Sequence, residues 1–159
     1  MSLLLALLLT SSTFKDGASV PLTMVATQCG GSNVTPALAW SKVPPGTRSF
    51  ALIVHDVDAR VSGGFYHWVA YNIPPSQHTF AAGAAFGPGK DGKNDTGAIG
   101  YFGPCPPPGP QHHYHFTLYA LSIPAIDSDA PLTARELLDR MRGHILDQAT
   151  YTGTWSAQR

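Results

Sequence analysis

Four polar residues of this sequence could together bind a small anion. Asp56 ends an apolar run and His67 lies in an aromatic stretch. His112 and Tyr114 open a third run of alternating residues. Imidazole and phenol groups donate hydrogen bonds and a carboxylate accepts them, so the set suits a phosphate, sulfate or carboxylate group. Such a site would bind more strongly as its imidazoles become protonated.

Two of these residues also have a purely structural interpretation. Asp56 and Asp58 share one face of an extended segment, yet the same spacing fits an Asp-rich turn that caps itself. In a regular strand, His67 shares its face with Val69 and Tyr71 and could be an ordinary core histidine.

The remaining histidines raise the question of a metal. Alternation puts His112 and Tyr114 on one face of an extended segment and His113 and His115 on the other. The second pair could chelate an ion, but two imidazoles alone are a weak ligand set. We therefore expect no metal and no other cofactor.

Catalysis is the alternative to binding. An acid and two imidazoles, Asp56, His67 and His112, would suffice for general acid–base chemistry on a small molecule. No activated nucleophile is evident, because Ser62 lies outside any nucleophile motif and Cys105 lies in a Pro/Gly loop without a demonstrable partner. We assign no catalytic residue and favour a non-enzymatic binding protein.

The elements that must position these residues are mostly strands. Apolar runs bounded by Pro, Gly and Asp predict strands at 49–55, 67–72 and 112–121, which form an antiparallel sheet or sandwich. A first strand is also expected. It begins in the second half of the apolar run 3–9, continues through Phe14 and ends in a turn at 15–17. The Pro/Gly loop from Tyr101 to His112 is stiff and predicts a pocket wall, with a plain surface loop as the alternative.

One helix is predicted near the C-terminus. Thr133 and Glu136 form a capping-box pattern, and apolar residues follow at helical spacing. The pattern predicts a peripheral helix over about 133–149 that packs on the sheet.

Length and charge limit the classes of partner. A chain of 159 residues suits a single domain, 1–159, and ten basic residues balance ten acidic ones without a basic cluster. We therefore expect no nucleic-acid partner. The run 3–9 is too short to cross a bilayer and lacks the flanks of an export signal, so we expect a cytoplasmic protein without integral membrane association, with export as the alternative.

The two cysteines, Cys29 and Cys105, are too few for a zinc site. Two buried free thiols are the favoured interpretation in a cytoplasmic protein. A disulfide between them is the alternative, and it would need an oxidising compartment or a sheltered position.

Several motifs, in order, resemble a known family. The opening segments 14–17, 29–36, 38–40 and 43–50 are similar to its first third. Asp56-Val-Asp-Ala-Arg60 is similar to its D-P-D-A-P signature, and His67-Trp-Val-Ala-Tyr-Asn-Ile-Pro74 to its H-W-V-x-x-N-[IL]-P strand. Gly103–Gly109 with His112-His-Tyr114 resembles G-x-x-P-P-x-G…H-R-Y. The family is that of the phosphatidylethanolamine-binding proteins (PEBP), in its bacterial and archaeal, Raf kinase inhibitor-like branch.

The resemblance implies a mainly β, PEBP-like antiparallel β-sandwich with peripheral helices and an anion-binding cavity at one end. Carried over by motif, the ligand-binding residues would be Asp56, His67, His112 and Tyr114. The pocket wall would be formed by Asp58, Ala59, Phe65, Cys105 and Pro107. The family label also implies inhibition or regulation of a kinase or serine protease. The sequence leaves open whether the protein forms a homodimer.

Two departures from the family pattern bear on this pocket. Val57 and Arg60 stand where the signature has prolines, which loosens the loop and adds a cation at the rim. His113 stands where the family has Arg, so a fixed charge that could pair with an acid such as Asp58 becomes titratable.

Overall fold

The computed structural model describes residues 5–157 as two antiparallel β-sheets with short helices at the periphery. The strands are β1 (Leu8–Thr10), β2 (Leu38–Ser41), β3 (Ser49–Asp56), β4 (Phe65–Ile73), β5 (Thr79–Phe80), β6 (His112–Leu121) and β7 (Ile145–Trp155). The helices are α1 (Ala134–Met141) and two 3₁₀ helices at Leu22–Met24 and Thr27–Cys29. One sheet has the strand order β1-β2-β5 and the other the order β4-β3-β6-β7. The predicted mainly β fold is confirmed.

The four-stranded sheet is covered on both faces, which explains why β3 is apolar almost throughout. On the face toward the small sheet, Phe50 packs edge-on against Trp40 of β2, with ring centroids 5.7 Å apart. On the other face, Leu137 and Met141 of α1 belong to a cluster with Val69 of β4. Central strands β3 and β6 are thereby held rigidly, and the site lies where they meet at one end of the sheet.

The C-terminal helix is present but shorter than predicted. Thr133 caps it by accepting a hydrogen bond from the Glu136 backbone N–H, as the capping box predicts. It ends at Met141, and Gly143 follows with a φ of 78°. The prediction of helix over 142–149 was wrong, because the chain turns there and Ile145 begins β7, which pairs along β6.

The first strand is also shorter than predicted. Only Leu8–Thr10 pairs with β2, and the predicted turn follows at Asp16 and Gly17. Phe14 lies beyond the strand, and its ring packs against Tyr151 at a centroid distance of 5.1 Å. The predicted strand's apolar run begins at Leu3, which lies outside the described residues. No helix within residues 5–157 is long and apolar enough to cross a bilayer.

The structure joins Cys29 and Cys105 in a disulfide, with their Cα atoms 5.5 Å apart. The interpretation of two buried free thiols was therefore wrong, and Cys29 is exposed rather than buried. The bond ties the second 3₁₀ helix to the Pro/Gly loop that precedes β6. Sequence alone could not show this, because the two residues are 76 positions apart.

Candidate functional site

A cavity of about 230 Å³ opens at the end of the four-stranded sheet where β3 ends and β4 and β6 begin. Its lining is mostly apolar, with a few polar groups. The lining residues are Asp56, Ala59, Arg60, Val61, Phe65, His67, Phe102, Cys105, Pro106, Pro107, His112 and Tyr114. All four residues that were predicted to bind a ligand therefore lie around one cavity.

Asp56 and His112 form a buried pair at the base of the cavity. Asp56 Oδ2 lies 2.7 Å from His112 Nδ1, and both residues are under a tenth exposed. The other carboxylate oxygen of Asp56 accepts a hydrogen bond of 2.9 Å from the Asp58 backbone N–H. Both oxygens thus have partners, which makes a buried carboxylate tolerable here.

A β-bulge sets the direction of His67. Val54 of β3 pairs with Trp68, but the next residue, His55, pairs with Tyr66, so His67 is an extra residue in β4. His67 therefore lines the cavity on the same side of the sheet as Trp68. The expectation that His67 shares a face with Val69 and Tyr71 was wrong, because it assumed a regular strand.

The loop before β6 fixes the His67 ring. His67 Nδ1 donates a 2.7 Å hydrogen bond to the Phe102 carbonyl, and the Phe102 ring stacks on the imidazole at a centroid distance of 5.7 Å. A carbonyl oxygen can only accept, so Nδ1 carries the proton and Nε2 is left for a ligand. Burial lowers the pKa of His67, with the Phe102 hydrogen bond and the Asp56 charge acting in the opposite direction.

Tyr114 supplies a hydroxyl group without a partner. The residue is 1% exposed, lines the cavity, and its hydroxyl makes no hydrogen bond within residues 5–157. Burial, and after it the negative charge of Asp56, raises the pKa of the Tyr114 hydroxyl far above its ordinary value. The hydroxyl thus stays protonated and free to donate.

With this geometry in view, comparison with known proteins decides the family. A family model described as phosphatidylethanolamine-binding protein matches residues 10–156. The chain belongs to this family. YbhB of Escherichia coli, a UPF0098 protein, is 36% identical over 158 residues that cover 93% of this chain and 99% of the relative. A UPF0098 protein of Aquifex aeolicus is 37% identical over 150 residues, covering 91% of this chain and 85% of the relative.

A solved structure of the family agrees in fold. The crystal structure of E. coli YbcL, described as a new member of the mammalian PEBP family, superposes with a TM-score of 0.91 at 31% sequence identity. The match covers 97% of this chain and all (100%) of the other. The predicted PEBP-like architecture is therefore confirmed at the level of the whole fold.

Four of the five residues that the family pattern predicts as walls line the cavity, namely Ala59, Phe65, Cys105 and Pro107. Asp58 does not, because the chain turns after β3 and alternation along the strand no longer applies. It borders a neighbouring cleft instead. Phe102 and Pro106 were missed as lining residues, although both lie in the Pro/Gly loop that was predicted to form a wall.

At the family's Arg position, His113 pairs with Asp58 as the sequence suggested. Asp58 Oδ2 accepts hydrogen bonds from both the backbone N–H and Nδ1 of His113, each at 2.8 Å. The His113 side-chain hydrogen bond, the largest influence, lowers the pKa of Asp58. Both side chains are substantially exposed, so the pair fixes the loop more than it stabilises the fold.

The structure gives His113 and His115, the pair considered above as a possible metal chelate, separate protein partners. His115 Nδ1 lies 2.8 Å from the Thr152 hydroxyl, while His113 is paired with Asp58. In the part of the chain that the structure describes, no three His, Cys, Asp or Glu side chains are grouped to hold an ion.

Proposed function

We propose that this cavity binds a small anionic or phosphorylated group. The observation that carries the proposal is that Tyr114 lines the cavity and that its hydroxyl, a buried donor, has no acceptor within residues 5–157. A buried hydroxyl without a partner is costly to the fold, so its persistence is consistent with a ligand acceptor.

The two histidines complement this donor. Nδ1 of His112 is bound to Asp56 and Nδ1 of His67 to a carbonyl, which leaves both Nε2 atoms for a ligand. Neutral imidazoles offer lone pairs there, whereas protonated ones offer donors. An anion would therefore bind together with a proton, taken up by an imidazole or carried by the ligand itself.

The size of the cavity limits the ligand. A volume of about 230 Å³ is below the roughly 300–1,000 Å³ of pockets that hold drug-sized molecules. The rings of Phe65, Phe102 and Pro106 form part of the apolar lining, and apolar walls strengthen polar contacts by lowering the local dielectric constant. A phosphoryl group with a short tail fits this description.

Titration of isotope-labelled protein with inorganic phosphate and O-phosphoethanolamine, followed by NMR at pH 5.5–7.5, tests the proposal. We expect saturable shifts at His67, His112 and Tyr114, and loss of binding in His112→Ala. His115→Gln is the matched control, because His115 lies on the opposite face of β6 and is bound to Thr152. Absence of any saturable shift in the native protein would reject the proposal.

The Asp56–His112 pair supports general acid–base catalysis as a second candidate. A carboxylate that orients an imidazole is the arrangement of a general base. The cavity lining contains no Ser, Thr or Lys, and its cysteine is held in a disulfide, so a covalent route would have to use Asp56, a histidine or Tyr114 as the nucleophile. Turnover of a phosphate monoester that disappears in Asp56→Asn, with the fold intact, would support catalysis over binding.

Two further expectations stay proposals. Inhibition of a kinase or serine protease rests on the family label, and competition between a copurified partner and phosphate for the cavity would support it. For localisation, the Cys29–Cys105 disulfide favours the exported alternative over the cytoplasm, because disulfides persist in oxidising compartments.

A further inference from the structure

Arg60 stands between two concave surfaces. It lines the anion cavity and also a neighbouring cleft of about 200 Å³. The cleft is lined by Asp58, Arg60, Pro107, Pro108, Pro110, Gln111 and His112. Arg60, Pro107 and His112 border both spaces, so the cavity and the cleft adjoin at these three residues.

No group within the described residues, 5–157, compensates the charge of Arg60. The three ion pairs within residues 5–157 do not include it, and its guanidinium makes no hydrogen bond there. Both nearby carboxylates already have partners, since Asp56 is bound to His112 and Asp58 to His113. Arg60 is therefore the one arginine among the cavity-lining residues, and no group within residues 5–157 pairs with its charge.

The loop that carries Arg60 is fixed in spite of its missing prolines. His55 Nε2 lies 2.7 Å from the Gly63 carbonyl oxygen, and Arg135 donates a 3.1 Å hydrogen bond to the Ser62 carbonyl. Arg60 thus projects from a segment whose C-terminal side is anchored to β3 and to α1. A guanidinium carried by an anchored segment at a pocket rim suits recognition of a carboxylate or phosphate.

We propose that Arg60 makes this a site for small phosphorylated acids, that is, ligands with a phosphoryl group and a second acidic group. This inference rests on the proposed function: the phosphoryl group occupies the cavity with His67, His112 and Tyr114. The second group, a carboxylate or another phosphoryl, pairs with Arg60 at the entrance of the cleft. The two prolines of the family signature would offer no such partner.

Two small, readily available probes differ only in the presence of the second acidic group. O-phosphoserine is O-phosphoethanolamine with one added carboxylate, so calorimetric titration of both at pH 7 isolates the contribution of that group. We expect the native protein to bind O-phosphoserine about twofold to fivefold more tightly, the upper part of the range for an exposed ion pair. Arg60→Gln should abolish this preference, so that the two probes bind with affinities within about twofold of each other, even if both affinities fall with the lost charge.

Arg48→Gln is the matched control, because Arg48 is exposed, forms no ion pair within residues 5–157 and precedes the opposite end of β3. It removes the same charge without touching the cavity. Equal affinity of the native protein for both probes would overturn the inference about Arg60 and leave the proposed function standing. A parallel loss in Arg60→Gln and Arg48→Gln would also overturn it, since only net charge would matter. No binding of either probe would reject the proposed function itself.

Discussion

Asp56 and His112 lie on neighbouring strands and share a buried hydrogen bond of 2.7 Å. Asp56 is directly opposite Tyr114 in the ladder between β3 and β6, and His112 lies two residues away on the same face. Asp56 also pairs with Phe65 of β4, so the carboxylate stands on a strand that is held on both sides. The acceptor that fixes the His112 ring is thus part of the rigid sheet, whereas the acceptor for His67 comes from a loop.

Replacement of Asp56 by Asn should destabilise the protein by about 1–3 kcal/mol. An amide cannot accept from both donors that now bind the carboxylate, His112 Nδ1 and the Asp58 backbone N–H. Urea unfolding measures the change. Asp58→Asn is the matched control. The Asp58–His113 pair is exposed, so its loss should lower the free energy of unfolding by less than about 1 kcal/mol. Equal losses in the two variants would contradict this account of the buried pair.

Removal of the Tyr114 hydroxyl should separate binding from stability. Tyr114→Phe deletes a buried hydroxyl without a partner, so we expect unchanged or higher stability, by up to about 1 kcal/mol. Phosphate affinity should fall about tenfold to a hundredfold with the lost charge-assisted hydrogen bond. In the control Tyr71→Phe the deleted hydroxyl accepts from the Leu132 backbone N–H, so stability should fall and phosphate affinity should not change. A Tyr114→Phe protein that is less stable and binds phosphate normally would contradict the prediction.

The lowered pKa of His67 predicts a pH dependence. Above the unfolded pKa of about 6.5, His67 is neutral in both states and does not change stability. Below that pH the unfolded chain binds a proton that the folded protein resists, so the stability of the free protein should fall. The fall should continue down to the depressed pKa of the folded state. Thermal unfolding between pH 5 and 8 measures this.

Sulfate should oppose that loss, because an anion in the cavity favours the protonated imidazole. Sulfate keeps its charge over this range, and chloride at equal ionic strength is the comparison. The stabilisation by sulfate should grow as the pH falls and should be weaker in His67→Gln. The same sulfate effect in His67→Gln as in the native protein would place the proton uptake elsewhere.

Local sequence patterns were enough to predict the main strands and the family. They could not predict features that depend on pairing between distant parts of the chain. β3 and β6 could be predicted because apolar runs between Pro/Gly segments leave few alternatives. The direction of His67 depends on the register between β3 and β4, where one extra residue turns the side chain to the other face. Residues 145–149 fit a helical spacing, but pairing with β6 made them a strand.

Loss of the disulfide should weaken both the fold and the site. The Cys29–Cys105 bond closes a loop that spans 76 positions, and such a cross-link contributes about 2–4 kcal/mol. Cys105 and its neighbour Pro106 line the cavity, so release of this wall should lower phosphate affinity as well. The variant Cys29→Ser with Cys105→Ser should show both effects, and dithiothreitol should reproduce them in the native protein. If alkylation and mass analysis of the freshly isolated protein find two free thiols, or the variant binds phosphate normally, the bond does not hold this wall in place.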